Sequence, residues 1–183
     1  YGYEQNEIPK EYNFSNFAEW NDKLLVTSTD GDLMIIDGEK GEIIQRDDFM
    51  KLNGGQSSQS YNCYVDKHSN YWVLNVGHVF VYDQKDKKWY AHLNDYLAQY
   101  GVPPLPAGLE VWDVCMDQRG WMWLATDHMG IFVIDMKRGE VKNFVNNKYD
   151  ATSISENTAK KLMLDRSGNM WIGCYLNGLN LLH

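Results

Sequence analysis

Long apolar runs, basic excess, proline and cysteine are all scarce in this 183-residue sequence, and each shortage excludes something. Its longest apolar runs, such as Leu33 to Ile36 and Ile131 to Ile134, fall far short of the ~18 residues a helical membrane span needs. Membrane attachment is therefore expected only through a segment outside this chain. Lys and Arg number 17 against 25 Asp and Glu, a net charge of −8, which repels a phosphate backbone and excludes general nucleic-acid binding by this segment. The three cysteines, Cys63, Cys115 and Cys174, are odd in number and match neither a zinc site nor a small disulfide framework. They read as buried small apolar residues and do not fix the compartment. The start, Tyr1-Gly2-Tyr3-Glu4, shows no basic stretch followed by an apolar one, so the chain reads as a mature form or a piece of something longer.

Catalytic and metal signatures are also missing. There is no Gly-rich phosphate loop, no nucleophile elbow and no identifiable acid pair. The histidines at 68, 78, 92, 128 and 183 share no ligand spacing. Asp30-Gly31-Asp32 hints at a calcium loop, but Leu33-Met34-Ile35-Ile36 follows at once as a strand. No cofactor and no metal are expected. Asn13-Phe14-Ser15 is a formal glycosylation triplet that reads better as a strand opening.

Aromatic residues, by contrast, are abundant, with 7 Trp and 12 Tyr against only 4 Pro, which favours strands over a helical bundle. They recur in phase. Asp165-Arg166-Ser167-Gly168-Asn169-Met170-Trp171 is an acid, a turn and a Trp-led strand. Asp117 to Trp123 and Asp66 to Trp72 repeat it, and Glu19 to Leu25 is a worn copy. The anchors Leu25, Trp72, Trp123 and Trp171 stand 47, 51 and 48 residues apart, a propeller-blade period. Asp37, Asp83 and Asp135 mark a second turn eleven or twelve residues after the anchors. Each Asp reads as a turn cap and each Trp as a packing wedge.

Each unit reads as four strands. In the third they are Val111 to Met116, Met122 to Thr126, Ile131 to Asp135 and Val141 to Val145. The expected fold is all-β, with about four four-stranded antiparallel propeller blades at roughly 14–49, 60–92, 110–146 and 158–183. Together they form one propeller region over 1–183. The last blade stops at its third strand. Tyr1 to Ile8 is a weak candidate for the missing outer strand, since Glu4, Gln5, Asn6 and Glu7 are poor strand formers. The expectation is thus a fragment of a larger propeller, whose uncovered blade faces favour self-association as a dimer. Leu93, Tyr96, Leu97 and Tyr100 have the spacing of a short amphipathic helix.

The fourth unit in particular resembles the two-component regulator propeller repeat. It has the lead-in Ser153-Ile154-Ser155-Glu156-Asn157, the core Asp165 to Gly173 and the tail Asn177-Gly178-Leu179-Asn180. It departs from the family pattern at Cys174, where Thr is usual, and at Asn177, where Gly is usual. The resemblance implies the extracytoplasmic, periplasmic sensor region of a bacterial hybrid two-component system. It implies a histidine kinase elsewhere in the full-length protein, no enzyme activity in this segment, and an oligosaccharide or other small ligand. The alternatives are a propeller enzyme, such as a polysaccharide lyase or hydrolase, and a protein-binding scaffold.

Strand direction indicates where a ligand would bind. The short, uniform turns after the first strands share one face. The second-to-third turns and the long connections Met50 to Ser60, Leu93 to Gly108 and Asn146 to Thr158 share the other, which is the usual place for recognition. A glycan sensor should show aromatics beside Asn, Asp or His on that rim. Trp112, His78, His128, Tyr175 and Asn177 are the candidate ligand-binding residues.

Overall fold

The computed structural model describes residues 13–48, 61–75 and 77–182. The weak candidate strand Tyr1 to Ile8 and the connection Met50 to Ser60 lie outside the described residues. Among the described residues there are fifteen strands and one short helix.

The first sheet is β1 (Phe14–Trp20), β2 (Lys23–Ser28), β3 (Asp32–Asp37) and β4 (Ile43–Asp48). The second is β5 (Asn62–Val65), β6 (Tyr71–Asn75), β7 (His78–Asp83) and β8 (Lys88–Tyr90). Helix α1 (Leu93–Ala98) follows and buries Tyr96 and Leu97, as the apolar spacing there implies. The third sheet is β9 (Val111–Met116), β10 (Met122–Thr126), β11 (Ile131–Asp135) and β12 (Glu140–Phe144). The fourth is β13 (Ala159–Leu164), β14 (Met170–Cys174) and β15 (Leu179–Leu182). Strands pair with their sequence neighbours, giving three four-stranded sheets and one of three strands, with every pairing described antiparallel. These are β-propeller blades, the last without an outer strand among the described residues.

The chain divides into two compact units. The first holds the first two blades apart from Gly77, His78 and Val79, which group with the second. Its core joins Leu25, Leu33 and Ile35 of one sheet to Tyr61, Tyr71, Val73 and Phe80 of the next. The inner strands are tied directly: the Ser15 hydroxyl donates to the Tyr61 carbonyl at 2.8 Å, and Asn16 Nδ2 donates to Asn62 Oδ1 at 3.0 Å. An aromatic row, Trp20, Tyr71, Tyr82 and Trp89, continues outward with centroid separations of 5.1–5.3 Å. The second unit repeats the scheme. Trp123, Ala125, Ile131 and Val133 pack on Ile154, Ala159, Met170 and Ile172.

The six-residue spacing from Asp to Trp has a single cause. One Asp66 oxygen accepts the backbone N–H groups of His68 and Asn70, at 2.8 and 3.0 Å. The other accepts the Trp72 indole N–H at 2.9 Å. Asp165 makes the same set with Ser167, Asn169 and Trp171, the indole bond being 3.0 Å. Asp117 binds the Trp121 backbone and the Trp123 indole at 2.9 and 3.0 Å, and takes Arg119 where the other two blades use Asn. The Asp is therefore more than a turn cap: it locks the turn onto the packing Trp. The Trp171 indole and the Asn169 amide draw the Asp165 pKa down to about 2. Asp37, Asp83 and Asp135 cap the outer turns in the same repetitive way.

Burial separates the anchors. Trp72 is fully enclosed and Trp123 is 5% exposed, but Trp171 is only partly buried. Cys63 and Cys115 are buried, and Cys174 is half-buried. Burial pushes the Cys63 thiol up to about 12.

Candidate functional site

The rim of the second unit is built from the entry to β9, the β10–β11 turn, the entry to β13 and the β14–β15 turn. Each is placed by backbone bonds. Asp127 N–H donates to the Glu110 carbonyl at 2.9 Å, Gly130 N–H to the Asn157 carbonyl at 2.8 Å, and Tyr175 N–H to the Thr158 carbonyl at 3.0 Å. The turn leading into β13 thus holds both neighbouring turns.

Three of the five expected residues converge here. Lys160 lies with its ammonium 3.2 Å from the Trp112 ring centroid and 5.3 Å from that of Tyr175, an aromatic clamp on a cation. His128, in a left-handed conformation at φ 61, places Nδ1 2.7 Å from the Thr158 hydroxyl and 3.2 Å from an Asp127 oxygen. Tyr175 is 63% exposed and offers an open ring, whereas Trp112 is half-buried and its face is occupied by Lys160. The Trp112 indole N–H is buried without a hydrogen-bond partner. Such a donor costs about 1–3 kcal/mol unless something accepts from it.

Asn177 lies exposed in the β14–β15 turn. Glu156 organises that turn by accepting the N–H groups of Leu176 and Asn177 at 2.8 and 3.1 Å. His78 is exposed at the head of β7. Gly77, just before it, adopts φ +81, and a β-carbon there would lie 3.1 Å from Glu110, the residue whose carbonyl anchors the β10–β11 turn.

Lys160, Thr158 and Glu156 contact the candidate residues or their turns and were not among them. Their signal is positional: all three sit where a long connection enters β13, on the rim side. One step further along β13, Asp113 accepts the Leu162 N–H at 2.9 Å and lies 3.6 Å from the Lys161 ammonium. Burial raises its pKa against the pull of those two donors. Among the described residues no three His, Cys, Asp or Glu side chains gather as a metal site would require.

Comparison with known proteins adds a match to one repeat family and a likeness of fold. The family described as two component regulator propeller matches residues 104–128, from the approach to β9 through the Asp117 turn and β10. That match lies in the third blade. No curated protein sequence matches the chain. The extracellular domain of a hybrid two component system from B. thetaiotaomicron superposes with a TM-score of 0.63 at 19% identity, covering 94% of this chain and 21% of that one. The extracellular domain of a one component system from the same organism gives 0.54 at 13%, covering 97% and 28%. The computationally designed Ika4 protein gives 0.60 at 11% identity, covering 100% of this chain and 99% of that one. At these identities the likeness is one of fold, and the chain spans only 21% and 28% of the two bacterial domains.

Proposed function

We propose that this chain, which carries a two component regulator propeller repeat, is part of the extracytoplasmic ligand-sensing region of a bacterial two-component system and recognises an oligosaccharide at the rim of its second unit. The observation that carries this reading is the convergence of Tyr175, Lys160, Trp112 and His128 on the backbone-braced entry to β13. An exposed tyrosine ring can stack on the apolar face of a pyranose. A lysine ammonium, an imidazole and the exposed Asn177 can meet its hydroxyls. The likeness to extracellular domains of bacterial regulators supports an extracytoplasmic setting. The full-length protein would then pass the signal to a histidine kinase.

Titration calorimetry against a panel of neutral oligosaccharides tests this. Tyr175→Ala and His128→Ala should each weaken binding about tenfold, equivalent to ~1.4 kcal/mol. The thermal midpoint should stay within about 3 °C, because both side chains are exposed. If neutral sugars bind and affinity is lost only on changing Arg119 and its neighbours on the Asp-turn face, the rim reading is wrong.

We also propose that the chain self-associates as a dimer. Met163, Trp171 and Leu181 lie opposite one another across β13, β14 and β15 on one sheet face. Met163 is 58% and Leu181 37% exposed. An apolar row of this kind favours a self-complementary two-fold contact. Sedimentation across a concentration series should show a dimer that Met163→Lys with Leu181→Lys dissolves. A species that stays monomeric throughout would refute this.

A further inference from the structure

Trp112 and Lys160 hold the same place in neighbouring sheets, eleven residues ahead of Trp123 and Trp171. Both are bulge residues. Asp113 pairs with Ala125 and Val111 with Thr126, so β10 passes over Trp112. Lys161 pairs with Gly173 and Ala159 with Cys174, so β14 passes over Lys160. A bulge re-aims its extra side chain out of the regular alternation. Here two bulges bring a large ring and an ammonium together. In the first sheet β2 passes over Ser15 in the same way, but Ser15 is consumed in the tie to the Tyr61 carbonyl.

The ammonium of Lys160 is not consumed. Carboxylates on the elements around it are engaged elsewhere. Asp113 accepts the Leu162 N–H and lies 3.6 Å from the Lys161 ammonium. Asp127 lies 3.2 Å from His128 Nδ1. Glu156 accepts two N–H groups of the β14–β15 turn, and the Glu110 side chain lies beside Gly77. Among the described residues Lys160 has no carboxylate partner. Two rings hold its ammonium instead, with centroids at 3.2 Å for Trp112 and 5.3 Å for Tyr175. Ring faces attract a cation but accept poorly from its N–H groups. A partly buried ammonium in that state binds an anionic oxygen better than a neutral one.

We infer that the oligosaccharide taken by the rim is acidic, and that the Lys160 ammonium receives its negative group, a uronate carboxylate or a sulfate ester. Tyr175 takes the face of the sugar ring. His128 has Nδ1 engaged with Thr158 and Asp127, which leaves Nε2 for a hydroxyl. This rests on the rim reading proposed above and adds to it the charge of the ligand and the residue that selects for it.

The probes are methyl glycosides of gluco, galacto and manno configuration, each matched with its uronate, and methyl glucoside 6-sulfate, titrated calorimetrically into the intact chain. At least one acidic member should bind about tenfold more tightly than its neutral twin, and the margin should shrink as salt is raised. Whether the uronate or the sulfate carries the margin identifies the group. Lys160→Met should erase the margin and leave the affinity of the neutral twin within about twofold, while Lys160→Arg should keep the margin. Lys161→Met removes the same charge one residue away, where it faces Asp113, and should leave the margin intact. That control separates a site from general attraction. Equal affinities within every pair, with neutral binding still lost in Tyr175→Ala, would overturn the inference and spare the rim reading. No binding of any member at ~10 mM would overturn both. A gain in neutral affinity in Lys160→Met would show that the lysine only fills the aromatic clamp. A margin lost in Lys161→Met and kept in Lys160→Met would place the selecting charge elsewhere. Either result overturns the inference.

Discussion

Trp72→Ala should be the most damaging of the three anchor substitutions, costing about 3–5 kcal/mol, with Trp123→Ala close behind and Trp171→Ala well below both. Trp72 is completely enclosed, so its removal leaves a cavity the size of an indole and strips Asp66 of a buried donor. Trp123 loses the same kind of bond to Asp117 and its stacking on Phe144. Trp171 makes the same bond to Asp165, but its ring is only partly buried, so less apolar surface is lost. Against a typical total of about 5–15 kcal/mol, the first two changes would take a large share of the stability. Urea denaturation of the three variants checks the order. Trp→Phe at each site isolates the indole bond and should cost about 1–2 kcal/mol. Equal costs for Trp72→Ala and Trp171→Ala would show that burial is not the deciding quantity.

Gly130→Val should prevent the second unit from folding properly, with a cost of about 4 kcal/mol or more. Gly130 closes the β10–β11 turn at φ +78, a conformation a β-branched residue resists. A β-carbon there would also run into the Phe144 carbonyl of β12, a backbone atom that cannot swing aside. Meanwhile the Gly130 carbonyl accepts both the Thr126 N–H and its hydroxyl, at 3.2 and 2.6 Å, so the turn cannot simply relax. Gly108→Ala is the control. Its φ is +72, but nothing lies within 4 Å of a β-carbon, so only the backbone term of about 1 kcal/mol should appear. Circular dichroism melts of both variants make the comparison. A Gly130→Val protein as stable as Gly108→Ala would show that β12 yields easily.

The repeat was legible because its phase is carried by identity: an acid, a short turn and a large apolar residue at a constant offset. The strands of the third blade follow that phase closely, with β9, β10 and β11 at the expected positions. What spacing cannot convey is side-chain aim. The offset of six was visible, but that it joins an indole N–H to a carboxylate depends on the Trp ring turning back along its strand. Lys160 escaped notice for the same reason. Beside Lys161 it is one of two adjacent lysines, and only the pleat decides that one meets Trp112 and Tyr175 while the other pairs with Asp113.

Several ties between neighbouring sheets span about one repeat. Ser15 to Tyr61 is a separation of 46 residues, Trp20 to Ser69 is 49, and Leu162 to Asp113 is again 49. The Asp–Trp locks span only six. Each meander can therefore form from contacts a few residues apart, and docking it on its neighbour closes a loop no longer than about one repeat. Because closure entropy grows with loop length, lengthening such a chain by further repeats leaves the cost of each docking step unchanged. Folding speed within a unit should then be set by the single slowest meander and not by chain length. Amide exchange in the first unit should reveal its two sheets gaining protection in succession, since the bonds that join them can form only once both edges exist.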